Sequence, residues 1–141
     1  MELAALGFWI ATAVGGLYMA GVALRSGRTE SPARSSNLPS AAIFAHGFLA
    51  LLGLGLWAVH MRADEPGTAW ATVGLLVLIV AGGTYMFLRW RRDHKELAPG
   101  VPLDEQPLAE QQIPPFVVHL HGGLAFVTIL FVVLTAIQAT T

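Results

Sequence analysis

Two stretches of this chain repeat each other, and each copy places a histidine at the same point. Gly15-Gly16-Leu17-Tyr18-Met19 returns as Gly82-Gly83-Thr84-Tyr85-Met86, 67 positions later. Leu38-Pro39, followed by His46-Gly47-Phe48-Leu49-Ala50, returns as Ile113-Pro114, followed by His121-Gly122-Gly123-Leu124-Ala125, 75 positions later. Segments that recur in the same order signal duplication of a structural unit, which constrains the fold more than any single motif. The two offsets differ because the loop inside the second copy is longer. Two histidines related by a pseudo-two-fold axis can face each other across it, which makes a symmetric pair a natural site for a centrally held cofactor.

The surroundings of the repeats are apolar. Hydrophobic residues make up 55% of the chain and charged residues only 12%, about half the usual share. The charges avoid four stretches, Leu3–Leu24, Ser40–His60, Thr68–Leu88 and Pro115–Gln138. Each has about 20 residues, enough for a helix to cross a hydrocarbon core of roughly 30 Å. Helices and closed barrels alone satisfy their backbone in lipid, and these runs lack the alternation of barrel strands. The expected fold is therefore an all-α integral membrane protein. Its four transmembrane helices form an up-down-up-down bundle of two parallel tandem hairpin repeats, residues 1–60 and 68–138. Residues 90–114, rich in Pro, Asp, Glu and Gln, read as a loop without a domain of its own.

The first apolar stretch differs from a signal peptide: it opens with Glu2 instead of a basic residue, and its apolar run is long. It also carries one copy of the Gly-Gly-x-Tyr-Met repeat, so it reads as retained. The chain has no cysteine, which excludes disulfides, iron–sulfur clusters and thiolate metal sites. Arg25, Arg28 and Arg34 fall in the first loop, and Arg89, Arg91, Arg92 and Lys95 in or beside the third. Arg62 is alone in the second. The positive-inside rule then makes loops one and three cytoplasmic and puts both termini outside, in what reads as a bacterial inner membrane. The net charge of −1 and the mixed signs of the third loop argue against nucleic acid as a partner.

Helical rise places the repeated residues in one layer. His46 and His121 each lie seven residues beyond a proline, about 10 Å along the helix. Tyr18 and Tyr85 lie a similar distance inside the ends of their helices. Gly15, Gly16, Gly47, Gly82, Gly83, Gly122 and Gly123 crowd around that layer. Taken singly, such glycines commonly serve tight helix packing, and a lone intramembrane histidine can act as hydrogen-bonding glue. Two symmetric histidines beside paired glycines weigh toward a functional site, because ionisable groups at that depth are costly.

Haem b, one per chain, is the expected cofactor. Neutral imidazoles on facing helices can take both axial positions of one iron, with His46 and His121 as the metal ligands. Glycines next to them would give a macrocycle clearance, and Arg25, Arg89, Tyr18 and Tyr85 would meet its propionates. In helix count and histidine placement the chain resembles the membrane-bound b-type cytochromes, including quinol-linked di-haem bundles and the haem-bearing anchors of succinate dehydrogenases. The resemblance implies electron transfer, with a quinone or a larger respiratory complex as partner. It does not extend to a second haem. His60 lies fourteen residues after His46, about 21 Å along the helix, but its repeat partner is Thr135. His60 reads instead as an interfacial residue, with ligation shared with a partner subunit as the alternative. His119, two residues before His121, should point to the opposite helix face; it could replace His121 as ligand if the helix were rotated, but symmetry favours His121, and His94 falls in the charged loop.

Other readings stay open. Met19 and Met86 could join the histidines around copper, and tyrosine with histidine could hold a quinone. A small structural subunit without cofactor would also carry Trp9, Trp57, Trp70 and Trp90 as interfacial anchors. No nucleophile–base set, phosphate loop or carboxylate pair lies in the apolar stretches. Hydrolase and transferase chemistry has no residues to stand on, and no catalytic residue is assigned.

Overall fold

The computed structural model describes residues 1–25, 38–63, 65–95 and 112–141, with only the backbone of Arg25, His94 and Lys95. They form four α-helices: α1 (Glu2–Arg25), α2 (Ser40–Ala63), α3 (Pro66–Lys95) and α4 (Pro115–Gln138). All four are long and apolar enough to cross a membrane.

Proline sets where three of them begin. Its fixed φ suits the first helical turn, and the N–H it lacks would have had no partner there. α3 starts on Pro66 and α4 on Pro115, while α2 starts just after Pro39. The carbonyl of Pro39 accepts from the amides of Ala42 and Ile43, as that of Pro114 does from Val117 and Val118. The two repeated Leu/Ile-Pro sequences thus start their helices in the same way.

α3 runs further than its apolar stretch. Trp90–Lys95, expected to open the third loop, continue the helix. Apart from Asp93 and His94, these are residues with no strong aversion to helix, and tertiary contacts hold the extension. Trp90 stacks on Phe87 and meets the edge of His119 on α4, and Asp93 is buried. The expected loop residues 96–111 lie outside the described residues.

The helices pack as a ring. α1 contacts α4 and α2, and α3 contacts α2 and α4; α1 packs most extensively on α4, and α2 on α3. Leu17, Phe48, Val77 and Phe126 are exposed on the outside. Helices apolar all round, with large side chains on the outer surface, are what a lipid environment requires.

Inside, Ala5, Trp9, Trp57, Leu76, Ile79 and Val132 form the core. Trp9 and Trp57, read from sequence as interfacial anchors, instead turn inward and are buried, as is Trp90; Trp70 remains exposed. The reason for Trp9 is Gly53. A methyl group there would sit 2.8 Å from the Trp9 indole, so only glycine leaves room for the ring. Buried hydroxyls are met within their own helices: Thr72 donates to the Thr68 carbonyl, Thr128 to Leu124 and Thr135 to Phe131. Such bonds to the preceding turn satisfy a polar group with no help from another helix.

Candidate functional site

His46 on α2 and His121 on α4 come together in the bundle, their ring centroids 6.4 Å apart and the planes inclined at 58°. These helices do not pack on each other directly. The rings meet across the bundle because each rests on a glycine pair of an adjacent helix. His121 lies over Gly15 and Gly16 of α1, and His46 over Gly82 and Gly83 of α3. A Cβ at Gly16 would stand 3.1 Å from Cε1 of His121, and one at Gly83 would stand 3.1 Å from Cε1 of His46. Each repeated histidine therefore uses the repeated glycines of the other hairpin. The clearance these four glycines provide is for the imidazoles themselves.

The orientation of His121 is fixed by a hydrogen bond. Its Nδ1 lies 2.9 Å from the carbonyl oxygen of Thr12. A carbonyl only accepts, so Nδ1 carries the hydrogen and donates it. In the neutral ring Nε2 is then left with its lone pair. His46 meets the carbonyl of Ile79, 67 residues after Thr12, in a looser contact. Its Nδ1 is buried and lacks a hydrogen bond of normal geometry.

The spacing of the rings has a chemical reading. Two metal–imidazole bonds of about 2 Å, with each ring centre about 1 Å behind its ligating nitrogen, put two centroids roughly 6 Å apart. The observed 6.4 Å would admit that arrangement and is equally an ordinary spacing for packed rings. It exceeds direct hydrogen-bond contact between the rings.

The other expected site residues are distributed around this centre. Gly47, Gly122 and Gly123 are exposed and face open space, so no neighbouring helix explains them. Tyr18 and Tyr85 are about half exposed, at 51% and 45%. Arg89 Nη1 donates to the Tyr85 hydroxyl at 2.6 Å, and its guanidinium lies over the same ring. The repeat position of Arg89 in the first copy is Val22, so this cation belongs to one hairpin only. Arg25 ends α1, and its side chain lies outside the described residues, as does that of His94. Met19 and Met86 are partly buried.

His119 stands apart from the pair. It is exposed, its Nδ1 donates to the Pro115 carbonyl at 2.7 Å, and its ring meets Phe87 and Trp90 edge-on. His60, at the opposite end of α2, is fully buried beside Trp57.

Thr12 and Ile79 were not singled out in the sequence, because their contribution is a backbone carbonyl. A signal for them existed: both lie three residues before a repeated Gly-Gly, about one turn away on the same helix face. Among the described residues, no three His, Cys, Asp or Glu side chains cluster as a metal-binding group. Comparison with known protein families, with curated proteins and with solved structures returns no match.

Proposed function

We propose that this chain is an integral membrane protein of two parallel hairpin repeats that holds one b-type haem between His46 and His121 for electron transfer. The observation that carries the reading is the 6.4 Å separation of the two rings, together with the Nδ1–H of His121 donated to Thr12. That bond leaves the lone pair on Nε2, the tautomer that metal-bound histidines commonly have. The donor set fits haem iron, for which imidazole is a common axial ligand. When bound, haem supplies a one-electron carrier.

The residues of the chain supply binding and orientation. The Thr12 carbonyl fixes the ring plane of His121, and Gly15, Gly16, Gly82 and Gly83 let both imidazoles reach the centre without pushing the helices apart. Arg89, held by Tyr85, would offer a cation to a propionate of the group. With both imidazoles committed to holding the group, electron transfer would be favoured over oxygen chemistry. A quinone or a neighbouring redox subunit is the partner that suits a chain with no nucleotide-binding motif. Arg89, Arg91 and Arg92 near the end of α3 favour a cytoplasmic location for that end, with the termini outside.

One observation favours a second reading. The glycine cradles and the Thr12 bond also serve plain helix packing, as in a cofactor-free subunit of a larger complex. An absorption spectrum separates the two. Protein expressed with ample haem should purify with a Soret band and, on reduction, sharp α and β bands. A colourless, folded preparation overturns the haem reading and leaves the packing role.

A further inference from the structure

The bundle consists of two helix pairs, and each pair holds one histidine by itself. His121 of α4 rests on Gly15 and Gly16 of α1 and donates to the Thr12 carbonyl, also on α1. His46 of α2 rests on Gly82 and Gly83 of α3 and meets the Ile79 carbonyl, also on α3. These pairs, α1 with α4 and α2 with α3, are the two most extensive interfaces of the ring. The gap between the imidazoles is therefore set by how the pairs meet, at the α3/α4 seam on one side and the α1/α2 seam on the other.

The two seams are equivalent by repeat but closed differently. Near the end of α3, rings fill the α3/α4 seam: Phe87 stacks on Trp90, and both meet His119 edge-on. The repeat equivalents of Phe87, Trp90 and His119 are Ala20, Ala23 and Phe44. Ala23 is buried, yet it presents a methyl where Trp90 presents an indole, and the Phe44 ring is 61% exposed. Alanine strengthens a membrane interface where backbones come close, but α1 with α2 is the least extensive of the four interfaces. The ties between α1 and α2 lie toward the opposite end. Trp9 fills the space over Gly53, the Trp57 indole donates to the Glu2 carbonyl at 3.4 Å, and the Glu2 carboxylate lies 3.8 Å from Nε2 of His60. In lipid no hydrophobic force draws helices together, so packing and hydrogen bonds are what keep a seam shut. The α1/α2 seam is thus fastened at its far end and held lightly at the histidine end.

We propose that the α1/α4 and α2/α3 pairs part at the histidine end of the α1/α2 seam, pivoting about Trp9 and Gly53, and that a flat ligand passes through this opening sideways from the lipid to His46 and His121. Hinge and shear movement of packed helices is an established form of opening, and the region with the fewest buried contacts yields first. Haem, planar and largely apolar, is a ligand that can approach from within a bilayer. That passenger rests on the haem reading; the parting of the pairs does not.

The chain has no cysteine, so spin labels can be placed in pairs at exposed, repeat-equivalent positions. Leu17→Cys with Phe48→Cys spans the α1/α2 seam, and Thr84→Cys with Gly123→Cys spans α3/α4. Double electron–electron resonance on the haem-free protein in lipid nanodiscs should give a broad or two-peaked distance distribution for the first pair and a single narrow one for the second. Ala20→Phe should narrow the first, and Phe87→Ala should broaden the second. Equal widths for the two seams, or a broader α3/α4 seam, overturn the parting. Haem-free protein carrying Ala20→Phe should also take up haem several-fold more slowly than wild type while reaching the same final haem-to-protein ratio. An unchanged rate in a variant whose seam has narrowed overturns the route. Wild-type protein that takes up no haem sinks the haem reading alone, and the distance distributions still decide whether the seam opens.

Discussion

Histidine is used differently at the two ends of the bundle. Near the starts of α2 and α4 it is present in both copies, as His46 and His121, and each ring depends on glycines from the other hairpin. At the far end His60 stands in one copy alone, and Thr135 occupies its repeat position. Thr135 satisfies its hydroxyl on its own helix, at Phe131. His60 is oriented by Glu65 and Thr68 at the α2–α3 turn, a connection with no counterpart among the described residues. A shared site at a pseudo-symmetry axis needs both copies, so duplication is visible in its residues. A contact built on one turn needs one copy, and its equivalent is free to become an ordinary packing residue.

The sharpest way to break this comparison is to remove one histidine at a time. His46→Ala or His121→Ala should abolish haem retention, measured as the haem-to-protein ratio of the purified protein. His60→Gln and His94→Ala should leave that ratio near the wild-type value. Haem retained after loss of His46, or lost with His60, would show that the two ends do not divide the work in this way.

A smaller effect is expected from the core that joins the ends. Gly53→Ala would bring a methyl group to 2.8 Å from the Trp9 indole, and a ring enclosed by the core cannot swing aside. Overpacking of this kind typically costs about 1–3 kcal/mol, seen as an earlier transition in thermal or denaturant unfolding in detergent. The repeat-equivalent positions are Leu76 and Thr128, both buried, so a smaller apolar residue accompanies a larger partner in the second copy. If Gly53→Ala is tolerated without change, the Trp9–Gly53 contact is not a fixed point of the bundle.

Next come the glycines of the histidine layer. Gly16→Ala or Gly83→Ala would crowd an imidazole at 3.1 Å, a clash a few tenths of an ångström relieve. Because alanine also favours the helix by up to about 1 kcal/mol, stability should change little while the ring is displaced. Under the haem reading the visible effect is weaker haem retention with near-normal unfolding. Gly47→Ala and Gly122→Ala, which face open space, should alter neither. Equal effects from all four would mean that the cradle contacts do not matter.

Much of the architecture was legible in the sequence because long apolar runs with few charges leave little choice but helix. Apolar length gave all four helices, and Pro39, Pro66 and Pro115 mark where three of them start or are about to start. The end of α3 was not legible, since Arg91, Arg92 and Asp93 look like loop residues until Trp90 is seen packed on Phe87 and His119. Repetition singled out His46, His121 and the Gly-Gly pairs. The pairing of each histidine with the opposite hairpin's glycines needed the packing of α1 on α4 and α2 on α3. Tryptophan misled for a similar reason. Interfacial composition suggested anchors, but the space opposite Gly53 decided where Trp9 went. Glu2 and His60, 58 residues apart, share no spacing rule.

The smallest expected effect separates a hydroxyl from a carbonyl on the same residue. Thr12 contributes its carbonyl to His121 Nδ1, while its hydroxyl donates to Phe8 one turn earlier at 2.8 Å. Thr12→Val keeps the carbonyl and the shape and removes only the second bond. The equivalent residue in the second copy, Ile79, already lacks a hydroxyl, so the bundle accommodates an aliphatic side chain at that position. Side-chain hydrogen bonds within membrane bundles average about 0.6 kcal/mol, so the shift in unfolding should be near the limit of detection. Haem retention and the Soret position should not move. A clear spectral change in Thr12→Val would mean that the hydroxyl tunes the carbonyl that holds His121. The two histidines would then differ by that hydroxyl as well as by the tightness of their carbonyl contacts.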